Sequence, residues 1–360
     1  MGGTIGTIDH KSDPLHASPL NRDLPVADMY IDLDELDMID RVGSGAFGVI
    51  YKCRWRGTLV AAKCIRSAKI SANWEAQKRR VRNSIDGEHE VEASIAMTED
   101  EKEQALDDFR IEVSILKTLR HPNICMLLAY STTEDLEVMV SELMKCSLLD
   151  VFKANAAHNQ HLSKRKQIAY AQQLAQGMNY LHTCRPPIIH RDLKPANLLI
   201  DYAGMIKITD FGLAKVRPGP EEQNGSDPFV MTGETGSYRF MAPEVFKHEA
   251  YTELVDVYSY AMIFYNILSG AAPWPTMNGQ TAAFAAATES LRPEIPRNWD
   301  ARIGVLLMRC WDENSSGRPS FGLILEELSE YSKDVLKVQK DNVVVSEAES
   351  SRISCSCLIS

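Results

Sequence analysis

The chain has 360 residues, a formal net charge of −10 and a sequence pI near 5.5. That length exceeds one hydrophobic core and favours two lobes, and the acidic balance argues against a nucleic-acid surface, which depends on clustered lysines and arginines. No stretch approaches twenty consecutive apolar residues, so no membrane span is expected. The eight cysteines show no paired metal-ligand spacing and the N-terminus has no signal-peptide pattern, which together predict a cytoplasmic protein with reduced thiols.

A glycine-rich segment is the first patterned element of the chain. The residues after it, 49–53 and 58–62, are predicted to form two short strands. A dinucleotide fingerprint would instead open a helix and carry an acidic residue about twenty positions on, where this chain has Lys63. The pattern therefore favours a β-hairpin whose glycines let backbone N–H groups approach phosphate oxygens. The residues of this candidate phosphate loop are Val42, Gly43, Ser44, Gly45, Ala46, Phe47, Gly48, Val49 and Ile50.

A helix is predicted from Glu99 to Leu119, because apolar residues recur there at spacings of three and four. Glu112 lies beside this apolar stripe and is the candidate partner for Lys63, whose ammonium needs a carboxylate if it lies in a cleft. A single glutamate on a helix more often faces solvent, and that alternative stays open at this point. The stripe consists of Leu106, Phe109, Val113 and Leu116.

A charged segment, called the charged insertion below, lies at about 66–97, between Lys63 and Glu112. Its first half is basic and its second half acidic, which is typical of a solvated excursion that buries little apolar surface. The alternative is a docking or autoregulatory element that controls the Lys63–Glu112 pair.

Two segments near the middle of the chain carry the elements of phosphoryl transfer. The first is His190-Arg191-Asp192-Leu193-Lys194-Pro195-Ala196-Asn197 and the second is Asp210-Phe211-Gly212. Asp192 would orient the acceptor hydroxyl and take its proton, and Lys194 would neutralise the moving phosphate. Asn197 and Asp210 offer the hard oxygen ligands that Mg²⁺ prefers.

In this order, these segments resemble the protein kinases from about Leu36 to Tyr331. The resemblance implies an α+β, bilobal protein kinase fold with a small β-rich N-lobe at 35–142 and a large helical C-lobe at 145–335. It implies ATP and Mg²⁺ as cofactors and proteins as substrates. Residues 1–34 are expected to be a disordered extension.

The resemblance also implies an adenine slot and several structural residues. Ile50 and Ala61 would lie above the adenine and Leu199 below it, and a hinge with Ser141 at its gate would hydrogen-bond the adenine edge. The other hinge residues are Glu142 and Met144. By the same resemblance, Glu244 pairs with Arg318, and Asp256 accepts hydrogen bonds from the catalytic-loop backbone.

Within the kinases, the chain is similar to the tyrosine-kinase-like group, which includes Raf-like and mixed-lineage kinases. The similarity lies in Trp55-Arg56-Gly57, in the segment 177–182 and in Cys310-Trp311. Lys194, two residues after Asp192, favours Ser/Thr specificity. The alternatives are dual-specificity or tyrosine kinase activity, a small-molecule kinase, and a pseudokinase or scaffold, although Lys63, Asp192 and Asp210 are all present.

Regulation by phosphorylation is expected because Arg191 and Lys215 place positive charge next to the activation segment. Thr232 and Thr235 are the candidate phosphosites, for an upstream kinase or for autophosphorylation, whereas Ser237 is expected to serve the active site. The segment between them and Asp210 has a flexible composition.

The C-terminal segment 336–360 is expected to be a disordered tail. It ends in Cys357-Leu358-Ile359-Ser360, a pattern typical of farnesylation, and Cys355 could carry palmitate. Membrane attachment through such lipids is one expectation, and an unmodified tail is the alternative. The sequence predicts no oligomeric state.

Overall fold

In this computed structural model, the described residues are 29–45, 48–66, 99–132, 136–216 and 237–335. Several predicted features therefore lie outside the described residues. These are the greater part of the charged insertion, Ala46 and Phe47 of the phosphate loop, the phosphosites Thr232 and Thr235, and the tail with Cys355 and Cys357.

An antiparallel five-stranded sheet forms most of the N-terminal lobe, with the strand order β1-β2-β3-β5-β4. The predicted hairpin is present, since Gly45 at the end of β1 pairs with Gly48 at the start of β2. One helix, α1, packs against this sheet and spans Glu99–Leu116. The strands are β1 Leu36–Gly45, β2 Gly48–Trp55, β3 Thr58–Arg66, β4 Leu127–Thr132 and β5 Leu136–Glu142.

The register of the strands divides their side chains between two faces. Cross-strand partners point to the same face and alternate residues point to opposite faces. One face carries Tyr51, Ala62 and Val140, which lie in a small buried cluster. The opposite face carries Ile50 and Lys63, and it is turned toward α1 and the cleft between the lobes.

The C-terminal lobe is built around two buried helices, α3 (Lys164–Thr183) and α5 (Leu254–Ser269). Most side chains of α5 are buried on all sides, as expected for a helix at the centre of a lobe. Residues 143–145 link this lobe to β5. The helices are α2 Leu148–Ala157, α3 Lys164–Thr183, α4 Pro243–Phe246, α5 Leu254–Ser269, α6 Gly279–Thr288, α7 Ala301–Cys310 and α8 321–335.

Short strands line the side of the C-terminal lobe that faces the cleft. β8 pairs with β6 and β9 in a three-stranded sheet, and β10 pairs with β7. The predicted α+β architecture, with a β-rich first lobe and a helical second lobe, is confirmed. These strands are β6 Cys146–Ser147, β7 Ile188–Ile189, β8 Leu198–Ile200, β9 Ile206–Ile208 and β10 Lys215–Val216.

The fold begins before the predicted boundary at residue 35. Ile31 is fully buried, and its backbone N–H donates to the carbonyl of Tyr130 at 3.0 Å. The part of the predicted extension at 29–34 thus belongs to the folded lobe, because its apolar residues cover the sheet.

No helix in the described part of the chain combines the length and the apolar character needed to cross a membrane.

Candidate active site

Lys63 and Glu112 form an ion pair across the N-terminal lobe. The Lys63 Nζ to Glu112 Oε2 distance is 2.6 Å, and the Glu112 side chain is only 2% exposed. Asp210 is a second, more distant partner, with 3.7 Å between its Oδ1 and Lys63 Nζ. Burial alone would lower the pKa of Lys63, but the two carboxylates outweigh it and hold that pKa above its usual range. Lys63 is therefore a charged ammonium.

The amphipathic pattern of α1 places Glu112 in this pair. Phe109, Val113 and Leu116 are all buried against the lobe, as predicted. Glu112 lies within the same turn as Val113, so packing of the apolar stripe turns its carboxylate inward toward β3. Glu112 is one of the buried charged residues and not a solvated one.

The catalytic-loop residues Asp192, Lys194 and Asn197 are in direct contact. Lys194 Nζ lies 3.1 Å from Asp192 Oδ2, and both side chains are largely buried. The Asn197 amide donates to the Asp192 carbonyl at 2.9 Å and to its carboxylate at 3.0 Å. Burial raises the pKa of Asp192; Lys194 opposes this change and Asp210 adds to it. The carboxylate is thus fixed in one orientation and is more basic than an ordinary aspartate.

Two residues of the site have a left-handed backbone conformation that is uncommon outside glycine. Arg191 has φ 68° and Asp210 has φ 67°. At Arg191, the strain is held by Asp256, whose fully buried carboxylate accepts from the backbone N–H groups of His190 at 2.8 Å and Arg191 at 2.9 Å. His182 Nε2 lies 2.9 Å from the same carboxylate.

Arg191 also has side-chain partners that the sequence did not reveal. Its guanidinium donates to the carbonyl of Leu213 and, at 2.8 Å, to the hydroxyl of Tyr251. Two neutral acceptors therefore already engage the Arg191 guanidinium, although neither of them neutralises its positive charge. Lys215 lies in β10, where it pairs with Ile189.

The apolar slot between the lobes is lined by the face of the sheet that carries Lys63. Ile50 pairs with Lys63, and Ala61 pairs with Ser141, so these side chains share that face. Leu199 lies in β8 on the other side of the cleft. Val49 pairs with Cys64 and its side chain packs against the cluster on the opposite face, so its side chain does not line the slot and only its backbone can serve the predicted phosphate loop.

The side chain of Glu142 links the hinge to both lobes. Its Oε1 accepts from Lys207 Nζ at 2.8 Å and from the backbone N–H of Met126 at 2.9 Å. The hinge backbone is held at the Glu142 N–H by Met126 and at the Lys145 N–H by Ile200. Met144 lies between these two anchors. Val42, at the other edge of the slot, is half exposed.

Asn197 and Asp210 have the donor chemistry of a magnesium site. Burial would raise the pKa of Asp210, but the charges of Lys63 and Lys194 outweigh it and lower that pKa, which keeps the carboxylate ionised. In the described ranges, no three His, Cys, Asp or Glu side chains form a metal-holding group by themselves. This donor set fits Mg²⁺, which is commonly bound by one or two protein side chains together with substrate phosphates.

Glu244 and Arg318 form a two-pronged buried ion pair. Arg318 Nη1 lies 2.5 Å from Glu244 Oε1, and Nη2 lies 2.9 Å from Oε2. The pair joins α4 to the segment before α8, and its role is structural and not catalytic. Ser237 opens the 3₁₀ helix Ser237–Phe240 that precedes α4.

The fold and the site together have the two-lobed arrangement of the protein kinases. A family model described as protein tyrosine and serine/threonine kinase matches residues 36–328, and the chain belongs to this family. The predicted kinship with the tyrosine-kinase-like group of protein kinases is confirmed as well.

Three relatives illustrate the similarity. A probable serine/threonine-protein kinase of Dictyostelium discoideum is 34% identical over 327 residues, which are 90% of this chain and 31% of the relative. The serine/threonine-protein kinase VIK of Arabidopsis thaliana is 34% identical over 331 residues, 90% of this chain and 67% of the relative. The dual specificity protein kinase splA of Dictyostelium discoideum is 32% identical over 323 residues, 85% of this chain and 12% of the relative.

Proposed function

We propose that this chain is an ATP- and Mg²⁺-dependent protein kinase that transfers the γ-phosphoryl group to serine and threonine hydroxyls of proteins. The observation that carries the proposal is the closed Lys63–Glu112 pair at 2.6 Å, together with an assembled Asp192–Lys194–Asn197 cluster across the cleft. Phosphoryl transfer needs positioned charges at both ends of the nucleotide, and this arrangement supplies them.

Each charged residue has one task in the proposed reaction. Lys63 holds the phosphates of ATP, because the ion pair with Glu112 fixes the position of its ammonium beside β3. Asp192 orients the acceptor hydroxyl and accepts its proton, and Lys194 neutralises charge on the transferred group. Asn197 and Asp210 hold Mg²⁺, which when bound neutralises the phosphate oxygens and keeps them in line.

The nucleotide base is proposed to lie between Ile50 and Ala61 on one side and Leu199 on the other. Hydrogen bonds to its edge are assigned to the backbone of the hinge at Glu142 and Met144, because the N–H of the next residue, Lys145, already has a partner within the protein. The Glu142 side chain acts differently: it braces the hinge through Lys207.

Serine and threonine are the proposed acceptors for two reasons. First, Lys194 is buried beside Asp192, where its ammonium can stabilise the negative charge on the oxygen of a short aliphatic side chain. Second, two of the three relatives described above carry serine/threonine kinase names. Dual specificity is the second candidate, because splA carries that name. Activation by phosphorylation at Thr232 or Thr235 is proposed from the sequence, with Arg191 as the partner of the phosphate.

Phosphoamino-acid analysis of protein phosphorylated in vitro tests the proposal. Purified chain with Mg²⁺ and ATP should label serine or threonine in a protein acceptor, whereas Lys63→Met and Asp192→Asn should reduce labelling by about 10²-fold or more. Labelling of the parent no greater than that of Lys63→Met, even after phosphorylation of the activation segment, would refute kinase activity and support a pseudokinase. Labelled tyrosine beside serine and threonine would replace the Ser/Thr assignment with dual specificity.

A further inference from the structure

A short segment before the first strand lies along the free edge of the N-terminal sheet. In the order β1-β2-β3-β5-β4, the strand β4 is an edge. Residues 29–33, called the edge segment below, run parallel to it and form a bridge between Tyr30 and Tyr130. The Tyr130 N–H donates to the Met29 carbonyl at 2.8 Å, and the Ile31 N–H donates to the Tyr130 carbonyl at 3.0 Å.

The edge segment is anchored in both hydrophobic clusters of the lobe. Ile31 is fully buried in the cluster on the outer face of the sheet. Met29 packs against the larger core, which includes Phe109 and Leu116 of α1. Two residues of the segment therefore fasten it to the two clusters of the lobe.

Tyr130 connects the edge segment to the end of α1. The Lys117 ammonium lies 3.8 Å from the centroid of the Tyr130 ring, within the range of a cation–π contact. The Tyr30 ring meets the same ring edge-on, with centroids 6.4 Å apart. Lys117 continues the helical hydrogen bonding of α1 through its N–H to Val113, and it lies five residues after Glu112, which is about 7.5 Å along a helix axis.

We propose that the edge segment is a positioning element for α1 and thereby sets the approach of Glu112 to Lys63. The inference rests on the proposed kinase function, in which that pair holds the nucleotide. The segment lies before residue 36, where the match to the family model begins. It acts through the contacts that lead from Ile31 and Met29 to Tyr130, Lys117 and α1.

The alternative is that the edge segment only contributes to core packing, in which case it affects the stability of the lobe but not the position of α1. Leu36 distinguishes the two roles, because it is buried in the same cluster as Ile31 but lies in β1, at the opposite edge of the sheet. Truncation of either residue to alanine removes a similar apolar volume, so the loss of stability should be comparable. Only the truncation at Ile31 should loosen α1.

The experiment compares Ile31→Ala, Leu36→Ala and the parent as full chains, at a temperature where melting curves show all three folded. ATP affinity is measured by equilibrium titration, and KM for ATP and kcat are measured with a protein acceptor. We expect Ile31→Ala to weaken ATP binding about fivefold or more, with a smaller change in kcat, and Leu36→Ala to change it by less than about twofold. Equal weakening in both variants would overturn the inference.

A double-mutant cycle with Glu112→Gln tests the path itself. If the edge segment acts through Glu112, Ile31→Ala should change ATP affinity by less than about twofold in the Glu112→Gln background. Retention of the full effect there would overturn the inference. Should Ile31→Ala fail to fold, Lys117→Met decides, since it leaves the core intact: weaker ATP binding is expected, and unchanged binding would refute the path. A parent that binds ATP but transfers no phosphate would refute the proposed function separately.

Discussion

Removal of the Arg318 guanidinium should strongly destabilise the C-terminal lobe. In Arg318→Met, four hydrogen bonds are lost: two to Glu244 and one each to the carbonyls of Leu254 and Asp312. The Glu244 side chain is only 10% exposed, so its carboxylate would remain buried without its cation. Breaking a buried pair in this way costs about 3–5 kcal/mol, a large share of the roughly 5–15 kcal/mol that stabilises a typical protein.

A matched exposed pair provides the control. Arg309 and Glu327 join α7 to α8 with a similar distance of 2.6 Å, but their side chains are 43% and 38% exposed. Arg309→Met should therefore cost at most about 1 kcal/mol, because water screens and replaces the contact. Urea unfolding followed by far-UV circular dichroism measures both variants.

The double variant Arg318→Met/Glu244→Leu should recover part of the loss, because it leaves no unpaired charge. The reasoning would be refuted if Arg318→Met cost no more than Arg309→Met. Strict additivity of the two single changes at 318 and 244 would refute it as well.

Three further predictions concern the catalytic loop and the core. Tyr251→Phe removes one hydrogen bond to the charged Arg191 side chain, worth about 1.5–3 kcal/mol, and should therefore lower the melting temperature as well as lower kcat/KM about tenfold or more; unchanged kinetics would exclude a positioning role. Because burial raises the pKa of Asp192, its proton-accepting form is lost at a higher pH than for an ordinary aspartate, so kcat/KM should fall on acidification above the usual aspartate range, and a pH–rate profile flat through that region would contradict this assignment. Gly177→Ala would place a Cβ atom 2.6 Å from Ile208 Cδ1 and should cost about 1–3 kcal/mol in urea unfolding, whereas an unchanged midpoint would show that β9 yields freely.

Local sequence patterns were sufficient to predict the elements that carry Lys63 and Glu112. The strand after the glycines and the apolar stripe of α1 are both periodic, and periodicity fixes which side of an element is buried. The separation of 49 positions along the chain did not prevent the prediction of the pair, because each partner was placed by its own element. The same alternation puts the Val49 side chain on the face opposite Ile50, which leaves Val49 only its backbone for the predicted phosphate loop.

Other contacts had no signal in the sequence. Tyr251 lies 60 residues from Arg191, and a single tyrosine outside a periodic segment does not reveal which side chain its hydroxyl meets. Residues 29–34 do alternate, since Met29, Ile31 and Leu33 take turns with Tyr30 and two aspartates, but this pattern does not show which strand the segment pairs with. Parallel pairing at the edge of a sheet is a tertiary contact that local propensity does not encode.

The charges in the cleft explain why the position of α1 should affect both ends of the reaction. Lys63 lies 2.6 Å from Glu112 and 3.7 Å from Asp210, so Glu112 holds it most closely. If α1 moved outward, Asp210 would become the nearest carboxylate to Lys63, and the two would be free to pair directly. That pairing would neutralise a proposed magnesium ligand at the same time as it withdrew the ammonium from the phosphates. Loss of the Glu112 contact should therefore weaken Mg²⁺ and ATP binding together, which makes α1 the element through which the edge segment can act on the whole site.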